Sequence, residues 1–170
     1  MQDNDATVFK VGRDLPGEAS TEALARRLAP LSGPGDVLAL WGDLGVGKTV
    51  FARAFVRARG NPLEDVPSPT FTLVQVYDAA DGSSAQTYHF DLFRLESPDE
   101  AFELGIEEAF ADAVSLVEWP DRLGRLLPAA RLDVRLAEGP APDARRVVLE
   151  GRGAWRARLA GAGLAEAGLE

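Results

Sequence analysis

The stretch that decides the fold of this chain is Gly42-Asp43-Leu44-Gly45-Val46-Gly47-Lys48-Thr49. It satisfies in full the phosphate-binding loop pattern G-x-x-x-x-G-K-[ST]. The apolar run 37–41 before it is typical of a buried parallel strand, and residues 50–59 after it carry apolar side chains at helical spacing. A strand, a glycine loop and a helix in this order present backbone N–H groups to a phosphate. We therefore predict an α/β fold of the P-loop NTPase kind, a single domain with a mixed β-sheet flanked by helices.

All eight residues of this loop, 42–49, are predicted to contact a nucleotide, and two of their side chains have specific roles. Lys48 is expected to carry positive charge to the β- and γ-phosphates, and the Thr49 hydroxyl is the expected ligand for a magnesium ion. The chain has 16 arginines and only two lysines, so a basic residue at a given position is much more often arginine than lysine. A lysine at position 48 therefore indicates a site where lysine and arginine are not interchangeable.

Composition and charge limit the classes of function. The 170 residues suffice for one domain, and no cysteine is available for a disulfide or a thiolate metal site. No secretion signal or membrane span is expected, and a cytoplasmic location is predicted. The net charge is −9, made of −11 over residues 1–120 and +2 over residues 121–170. Such a chain has no general attraction for nucleic acid, so any RNA is expected to be held by a partner.

The rest of the chain shows further hydrophobic patterns and turn signals. Ser97 with Glu100 indicates a capping box, and the helix that follows is expected to bury Phe102 and Ile106 and to be interrupted near Gly105. The predicted elements, in order, are an edge strand at 7–12, a polar turn at 14–20, a helix at 21–31, a hairpin of 71–77 with 87–95, a strand at 114–120, a short helix at 123–127, a closing hairpin of 132–136 with 147–149, and a tail that frays.

Three polar residues outside the loop have two interpretations each. Thr21 is either a helix cap or a residue facing the adenine or ribose. Thr70, in the rigid segment Ser68-Pro69-Thr70, is either part of an inert linker or a sensor of the γ-phosphate. Arg145 or its neighbour Arg146 approaches the nucleotide in one interpretation and is a surface residue in the other.

Two predicted strands carry acids that are candidates for function. Asp91 lies two residues from the only histidine, His89, and is the better functional candidate because a half-buried carboxylate needs a partner. The histidine is more typical of a structural hydrogen-bond partner, and its role stays open. Glu118 ends an apolar strand where nucleotide-binding sheets place a magnesium ligand or a water-orienting base, although a surface residue is the alternative.

Four ordered motifs together closely resemble the TsaE family, the bacterial tRNA threonylcarbamoyladenosine biosynthesis ATPases. They are the loop at 42–49, S-P-T-F-T-L-V at 68–74, Y-H-F-D-L-F-R-L at 88–95 and V-E-W-P at 117–120. The resemblance implies an ATPase that works with the TsaD and TsaB proteins on the adenosine next to the anticodon, with tRNA contacted only through those partners.

The resemblance also implies roles for individual residues. It makes Thr49 and Glu118 the magnesium-side residues, Asp91 a catalytic carboxylate and Thr70 part of a switch-like segment. Two further implications concern the nucleotide itself: Trp119 would be its neighbour, and Glu18 and Thr21 would match a glutamate and a threonine that the family places near it. One departure is Phe93, where the family usually has tyrosine.

Two other classes of function remain as alternatives. A small-molecule kinase would need an acceptor pocket and usually an arginine-bearing lid, and residues 61–120 contain Arg94 alone. A nucleotide-gated interaction module would use ATP binding to assemble partners, without essential turnover. The main prediction is a magnesium-dependent ATPase that is slow alone and stimulated by its partners, with Lys48, Asp91 and Glu118 as catalytic residues.

Overall fold

The computed structural model describes residues 8–82 and 85–164. Seven strands form one sheet in the order β1-β7-β6-β2-β5-β4-β3. The strands are β1 Val8–Leu15, β2 Val37–Trp41, β3 Val74–Tyr77, β4 Thr87–Asp91, β5 Val114–Glu118, β6 Leu132–Glu138 and β7 Arg145–Arg152. The described α-helices are α1 Glu18–Leu28, α2 Lys48–Arg59, α3 Ile106–Asp112 and α4 Ala154–Gly161, and the 3-10 helices are Ala29–Leu31, Pro98–Leu104 and Pro120–Leu126.

The sheet is mixed, as predicted. Its centre is parallel, since β2 pairs with both β5 and β6 in parallel and β4 pairs with β5 in parallel. The outer pairs β1 with β7, β6 with β7 and β3 with β4 are antiparallel. The carboxyl ends of β2, β4 and β5 therefore meet at one edge of the sheet, where ligands of such folds bind.

Helices cover both faces of the sheet. Alternate residues of a strand point to opposite faces and so pack against different helices. On β2, Leu38 and Leu40 belong to one apolar core while Val37 belongs to the other. The first core packs α1, α2 and α4 against one face, with Phe51 at its centre. The second packs α3 and two 3-10 helices against the opposite face around Phe90. The glycine loop emerges from β2 between these two layers.

The start of α1 differs from the prediction. The helix begins at Glu18 instead of residue 21, and β1 continues to Leu15, so the predicted polar turn shrinks to Pro16 and Gly17. Gly17 is the N-cap residue in extended conformation, and Glu18 in the first turn suits the positive end of the helix dipole. Thr21 lies inside the helix and is buried, so its interpretation as a cap is wrong. The first residue of the predicted edge strand, residue 7, lies outside the described residues.

The predicted hairpin forms, but its strands are shorter than expected. β3 starts only at Val74 because the preceding residues turn: Leu73 N donates to Pro69 O at 2.8 Å, and Leu73 has a φ of 67°. β4 ends at Asp91, where the chain turns. The Asp91 carboxylate accepts a hydrogen bond from Phe93 N at 3.1 Å, which is a turn-forming contact that aspartate favours.

The predicted capping box is wrong. Ser97 makes no side-chain capping bond, and Glu100 Oε2 instead accepts from Glu96 N at 3.3 Å. The segment that follows is a 3-10 helix, which turns Phe102 outward to 44% exposure and buries Ala101 instead. The interruption at Gly105 is confirmed, with a φ of 77°, and Ile106 is buried as predicted.

The last third of the chain is more ordered than predicted. The closing hairpin is confirmed as β6 with β7, and the short helix expected at 123–127 is a 3-10 helix that begins at Pro120. α4 was not predicted; it buries Trp155 and Leu159 against the first core. The final residues, 165–170, for which fraying was predicted, lie outside the described residues.

Candidate nucleotide-binding site

The glycine loop has the backbone that its sequence predicts. Gly42, Gly45 and Gly47 have φ values of 143°, 80° and 110°, in the region that favours glycine. At Gly42 space is decisive as well, because a Cβ atom there would lie 2.5 Å from Leu136 O and 2.6 Å from Val46 Cγ1. Gly47 is the N-cap residue of α2, so the first N–H groups of that helix face the loop.

Lys48 is buried and folded back onto its own loop. Its ammonium donates to Gly42 O and, at 3.1 Å, to Asp43 O, and it lies 3.9 Å from the centre of the Trp119 ring. Burial lowers the pKa of Lys48 below its ordinary value, and nearby carboxylates, with Glu118 first, oppose that shift. The charge of this side chain is therefore held at the loop by carbonyls and a ring face.

Glu118 joins the loop to the neighbouring strands. Thr49 Oγ1 donates to Glu118 Oε1 at 2.9 Å, and His89 Nε2 lies 3.2 Å from Glu118 Oε2. The Glu118 side chain is 2% exposed. A buried carboxylate is stable only where its oxygens are hydrogen-bonded, and both oxygens are.

Asp91 lies beside Glu118, because the two residues are register partners at the carboxyl ends of β4 and β5. Burial raises the pKa of Asp91, while the hydrogen bond from Phe93 N lowers it and the Glu118 charge raises it further. Two acids on adjacent strands next to the loop therefore share one buried edge, as the sequence predicts.

Trp119 follows Glu118 in an unusual backbone conformation. Its φ of 59° and ψ of 53° lie in the left-handed region, which side chains other than glycine rarely adopt. This conformation turns the chain out of β5 and sets the Trp119 ring over Lys48 and within 5.0 Å, centre to centre, of the Phe93 ring.

Two cavities flank the glycine loop and meet at Gly45, Gly47 and Val50. The Glu118 cavity has a volume of about 410 Å³, and the Arg145 cavity has a volume of about 490 Å³. Both volumes are typical of small-molecule sites. The Glu118 cavity is also lined by Leu44, Lys48, Thr49, Ser68, Thr70, Asp91, Phe93, Arg94, Glu118 and Trp119, and the Arg145 cavity by Pro16, Gly17, Glu18, Thr21, Val46, Asp143 and Arg145.

The structure thus brings the predicted residues to the loop in two groups. Thr70, Asp91, Glu118 and Trp119 face the Glu118 cavity. Glu18, Thr21 and Arg145 face the Arg145 cavity. Gly42 and Asp43 line neither cavity and meet the site through the carbonyls that hold Lys48.

Arg145 is tied to the loop. Its Nε donates to Val46 O at 3.0 Å, and its Nη1 donates to Pro142 O at 2.9 Å and Ala144 O at 2.8 Å. Arg146 points elsewhere and pairs with Asp14 at 3.0 Å on the surface. Of the two arginines that the sequence left open, Arg145 is the one at the site.

Several site residues were not predicted. Ser68 lines the Glu118 cavity and shares a 2.8 Å hydrogen bond with Thr70. The sequence feature that could have predicted Ser68 as a site residue is its position two residues before Thr70. His89 was noticed, but its contact with Glu118 depends on the register of two strands far apart in sequence. Asp143 reaches the Arg145 cavity from a proline-rich loop, where no sequence signal marked it.

No described helix has both the length and the apolar character that crossing a membrane requires.

Comparison with known proteins agrees with this geometry. The family model described as "Threonylcarbamoyl adenosine biosynthesis protein TsaE" matches residues 15–147. The tRNA threonylcarbamoyladenosine biosynthesis protein TsaE of Rickettsia conorii is 41% identical over 72% of this chain and 68% of its own length. The protein of the same name from Bacillus subtilis is 43% identical over 67% of this chain and 69% of its own length.

A solved structure has the same architecture. The crystal structure of Bacillus subtilis YdiB superposes with a TM-score of 0.71 at 27% sequence identity and covers 92% of this chain and 96% of that chain. The match in sequence extends from the end of β1 into β7, and so includes both cavities and the glycine loop. The chain belongs to the TsaE family of tRNA threonylcarbamoyladenosine biosynthesis proteins.

Proposed function

We propose that this protein is a magnesium-dependent ATPase required for threonylcarbamoyl modification of the tRNA adenosine next to the anticodon. The observation that carries the proposal is the 2.9 Å hydrogen bond between Thr49 and Glu118. It joins the hydroxyl of a phosphate-binding loop to a carboxylate at the end of a parallel strand. P-loop NTPases use this pair of groups on the magnesium side of the phosphates.

Lys48 and the loop amides would bind the phosphates. In the structure the ammonium is held by the carbonyls of Gly42 and Asp43, so a phosphate would replace neutral acceptors by charged ones. The attraction between two opposite charges in a buried site favours that exchange. The N–H groups at the start of α2 would supply further donors to the same phosphate.

The residues present fit magnesium. A hydroxyl and a carboxylate are the hard oxygen ligands that this ion prefers, and Thr49 and Glu118 bring one of each to the same point. Across residues 8–82 and 85–164, no cluster of three or more His, Cys, Asp and Glu side chains forms a complete metal site. That agrees with an ion bound partly by phosphate oxygens and water. When bound, magnesium would neutralise charge on the transferred phosphoryl group.

Asp91 would assist in orienting the attacking water. It lies beside Glu118 in register and lines the same cavity, and one of its oxygens is held by Phe93 N. Burial raises the pKa of Asp91, and its carboxylate would orient the water or the metal shell by accepting hydrogen bonds. Asp91, Glu118 and Lys48 are thus the proposed catalytic residues.

The nucleoside would lie in the Arg145 cavity, on the far side of the loop from the acids. Glu18 and Thr21 on α1 and Arg145 on β7 would contact it there. Trp119 would lie near the phosphates instead, since its ring covers Lys48. Thr70 is partly exposed and lines the Glu118 cavity, where it would sense whether a γ-phosphate is bound.

The TsaD and TsaB proteins are the proposed partners, in the cytoplasm where tRNA is modified. Exposed apolar side chains support a protein contact at the Glu118 cavity: Leu44 and Phe93, which line it, are 78% and 43% exposed. Phe71, which packs on the lining residue Arg94, is 82% exposed. The net charge of −9 supports contact with tRNA only through these partners.

Phosphate release from ATP tests the proposal against two alternatives. We expect slow release by the protein alone with magnesium, and faster release when TsaD and TsaB are added. A nucleotide-gated interaction module would bind these partners in ATP and release no phosphate. A small-molecule kinase would phosphorylate an acceptor rapidly without them. Either of those results would overturn the ATPase proposal.

A further inference from the structure

His89 is the only histidine of the chain, and it lies in the middle of β4, the strand beside the edge strand β3. It is the third residue of β4, with Gln75 of β3 and Leu116 of β5 as its register partners. Its side chain is fully buried, at 0% exposure. Histidine is seldom fully buried without a specific partner, so its contacts decide its role.

The partner of His89 is Glu118. His89 Nε2 lies 3.2 Å from Glu118 Oε2, while Glu118 Oε1 accepts from Thr49 at 2.9 Å. An ionised carboxylate only accepts hydrogen bonds, so the hydrogen between the ring and Oε2 belongs to Nε2.

The other ring nitrogen, Nδ1, is buried and makes no hydrogen bond with residues 8–82 and 85–164. Nε2 is therefore the ring nitrogen through which His89 contacts a polar group of this part of the chain.

We propose that His89 is a positioning residue, whose Nε2–H holds Glu118 Oε2 and so aims Oε1 at Thr49 and the magnesium side of the phosphates. The inference rests on the proposed function. Asp91 is not an alternative holder, since it is an acid and its own carboxylate is engaged by Phe93 N.

This division of the two oxygens has a physical consequence. A glutamate side chain has three rotatable bonds, and its carboxylate would turn freely if only Thr49 held it. Once Oε2 is fixed from the β4 side, Oε1 stays in place even when the Thr49 hydroxyl turns toward an ion. Partners of this kind typically change metal affinity or activity by about 10- to 100-fold when removed.

Amide side chains provide a matched pair of variants. In His89→Gln the amide nitrogen falls near the position of Nε2, so a donor to Glu118 is kept. In His89→Asn the amide nitrogen falls near Nδ1 and cannot reach Oε2. His89→Leu removes both nitrogens at similar volume.

The measurement is the magnesium concentration that gives half of the metal-dependent gain in affinity for a fluorescent ADP analogue. We expect His89→Asn and His89→Leu to raise it by about 10-fold or more, and His89→Gln to stay near the unaltered protein. Nucleotide affinity without magnesium should be the same in all four proteins. The inference would be overturned if the folded Asn and Leu variants needed the same magnesium concentration as the unaltered protein. It would also be overturned if the Gln variant needed as much magnesium as the Leu variant.

A double-mutant cycle separates positioning from a general packing role. In a Glu118→Ala background, His89→Leu should have no further effect on the magnesium response. The reason is that His89 is proposed to act on the ion through the Glu118 carboxylate, which this background lacks. An additive effect would show that His89 acts by another route and would contradict the proposal.

The unaltered protein supplies a second measurement that needs no variant to fold. Because the chain has one histidine, a ¹⁵N-labelled sample gives a single pair of imidazole nitrogen signals. We expect shifts that place a hydrogen on Nε2; a ring with its hydrogen on Nδ1 alone would overturn the inference. The outcome is separate from the proposed function, which would fail instead if the unaltered protein with its partners released no phosphate.

Discussion

The two cavities beside the glycine loop are built from different kinds of side chain. In the Glu118 cavity three charged groups are buried, with Lys48, Asp91 and Glu118 only 5%, 7% and 2% exposed, and Arg94 at its border is exposed. In the Arg145 cavity the acids Glu18 and Asp143 are exposed and Arg145 is half-buried, while the buried lining residues Thr21 and Val46 carry no charge. Charges withdrawn from water act strongly on a neighbouring ligand, whereas exposed ones are screened. We therefore expect the first cavity to govern hydrolysis and the second to govern affinity alone.

Lys48→Ala should have the largest effect, because this residue serves both binding and chemistry. Each charge-assisted hydrogen bond contributes about 1.5–3 kcal/mol, and Lys48 is expected to make one to each of two phosphates. Affinity for ATP should fall by at least about 100-fold, with hydrolysis lost in parallel. Titration with a fluorescent ATP analogue measures this. Retained affinity would contradict the assignment of the phosphates to this loop.

Glu118→Gln should separate hydrolysis from binding. The substitution keeps the size of the side chain and removes its charge, so ATP affinity should change little while hydrolysis falls by about 100- to 1,000-fold. Phosphate release at saturating ATP and the same fluorescence titration measure the two quantities. A loss of affinity as large as that of Lys48→Ala would remove the distinction between the roles of these residues.

Gly42→Ala and Gly45→Ala form a pair that tests the backbone of the glycine loop between the two cavities. Both glycines have positive φ, which costs another residue about 1–2 kcal/mol. At Gly42 the new methyl also meets Leu136 O at 2.5 Å, whereas nothing lies within 4 Å of a Cβ at Gly45. We expect Gly42→Ala to lower the free energy of unfolding by about 3 kcal/mol or more, and Gly45→Ala by about 1–2 kcal/mol. Chemical denaturation measures both, and equal losses would contradict the role of this close contact.

The contrast between the cavities also explains which parts of the site the sequence predicts. Motif residues whose chemistry is tied to residue type line the Glu118 cavity, so the predictions for Lys48 and Thr49 follow from local pattern alone. The prediction for Glu118 also needs its place at the end of an apolar strand and the family resemblance. β2 is predicted from local pattern, since its apolar run directly precedes the glycines. Local sequence and local structure agree there, and the prediction needed no knowledge of distant contacts.

The parts that the sequence did not predict depend on distant contacts. The partner of His89 follows from the register of β4 with β5, and the position of Asp143 from the return of β7 to the loop. α4 was missed because its sequence is rich in alanine, glycine and arginine, and only Trp155 and Leu159 meet the core. Phe102 was assigned to the core on helical spacing, but a 3-10 helix turns every third residue to the same side and so exposes it.

Arg145→Ala should have the smallest effect and gives the sharpest test of the contrast between the cavities. The substitution removes the proposed contact between Arg145 and the nucleoside, and a typical hydrogen bond contributes about 0.5–1.5 kcal/mol. ATP affinity should therefore fall by about 2- to 10-fold.

The rate of hydrolysis at saturating ATP should not change in Arg145→Ala, because this side chain lies on the far side of the loop from Asp91 and Glu118. Arg146→Ala is the matched control: it removes the adjacent arginine, whose exposed ion pair with Asp14 contributes little, and should leave both quantities unaltered. A drop in the saturated rate for Arg145→Ala alone would mean that the Arg145 cavity also acts on the phosphates. The division of binding and chemistry between the two sides of the loop would then be wrong.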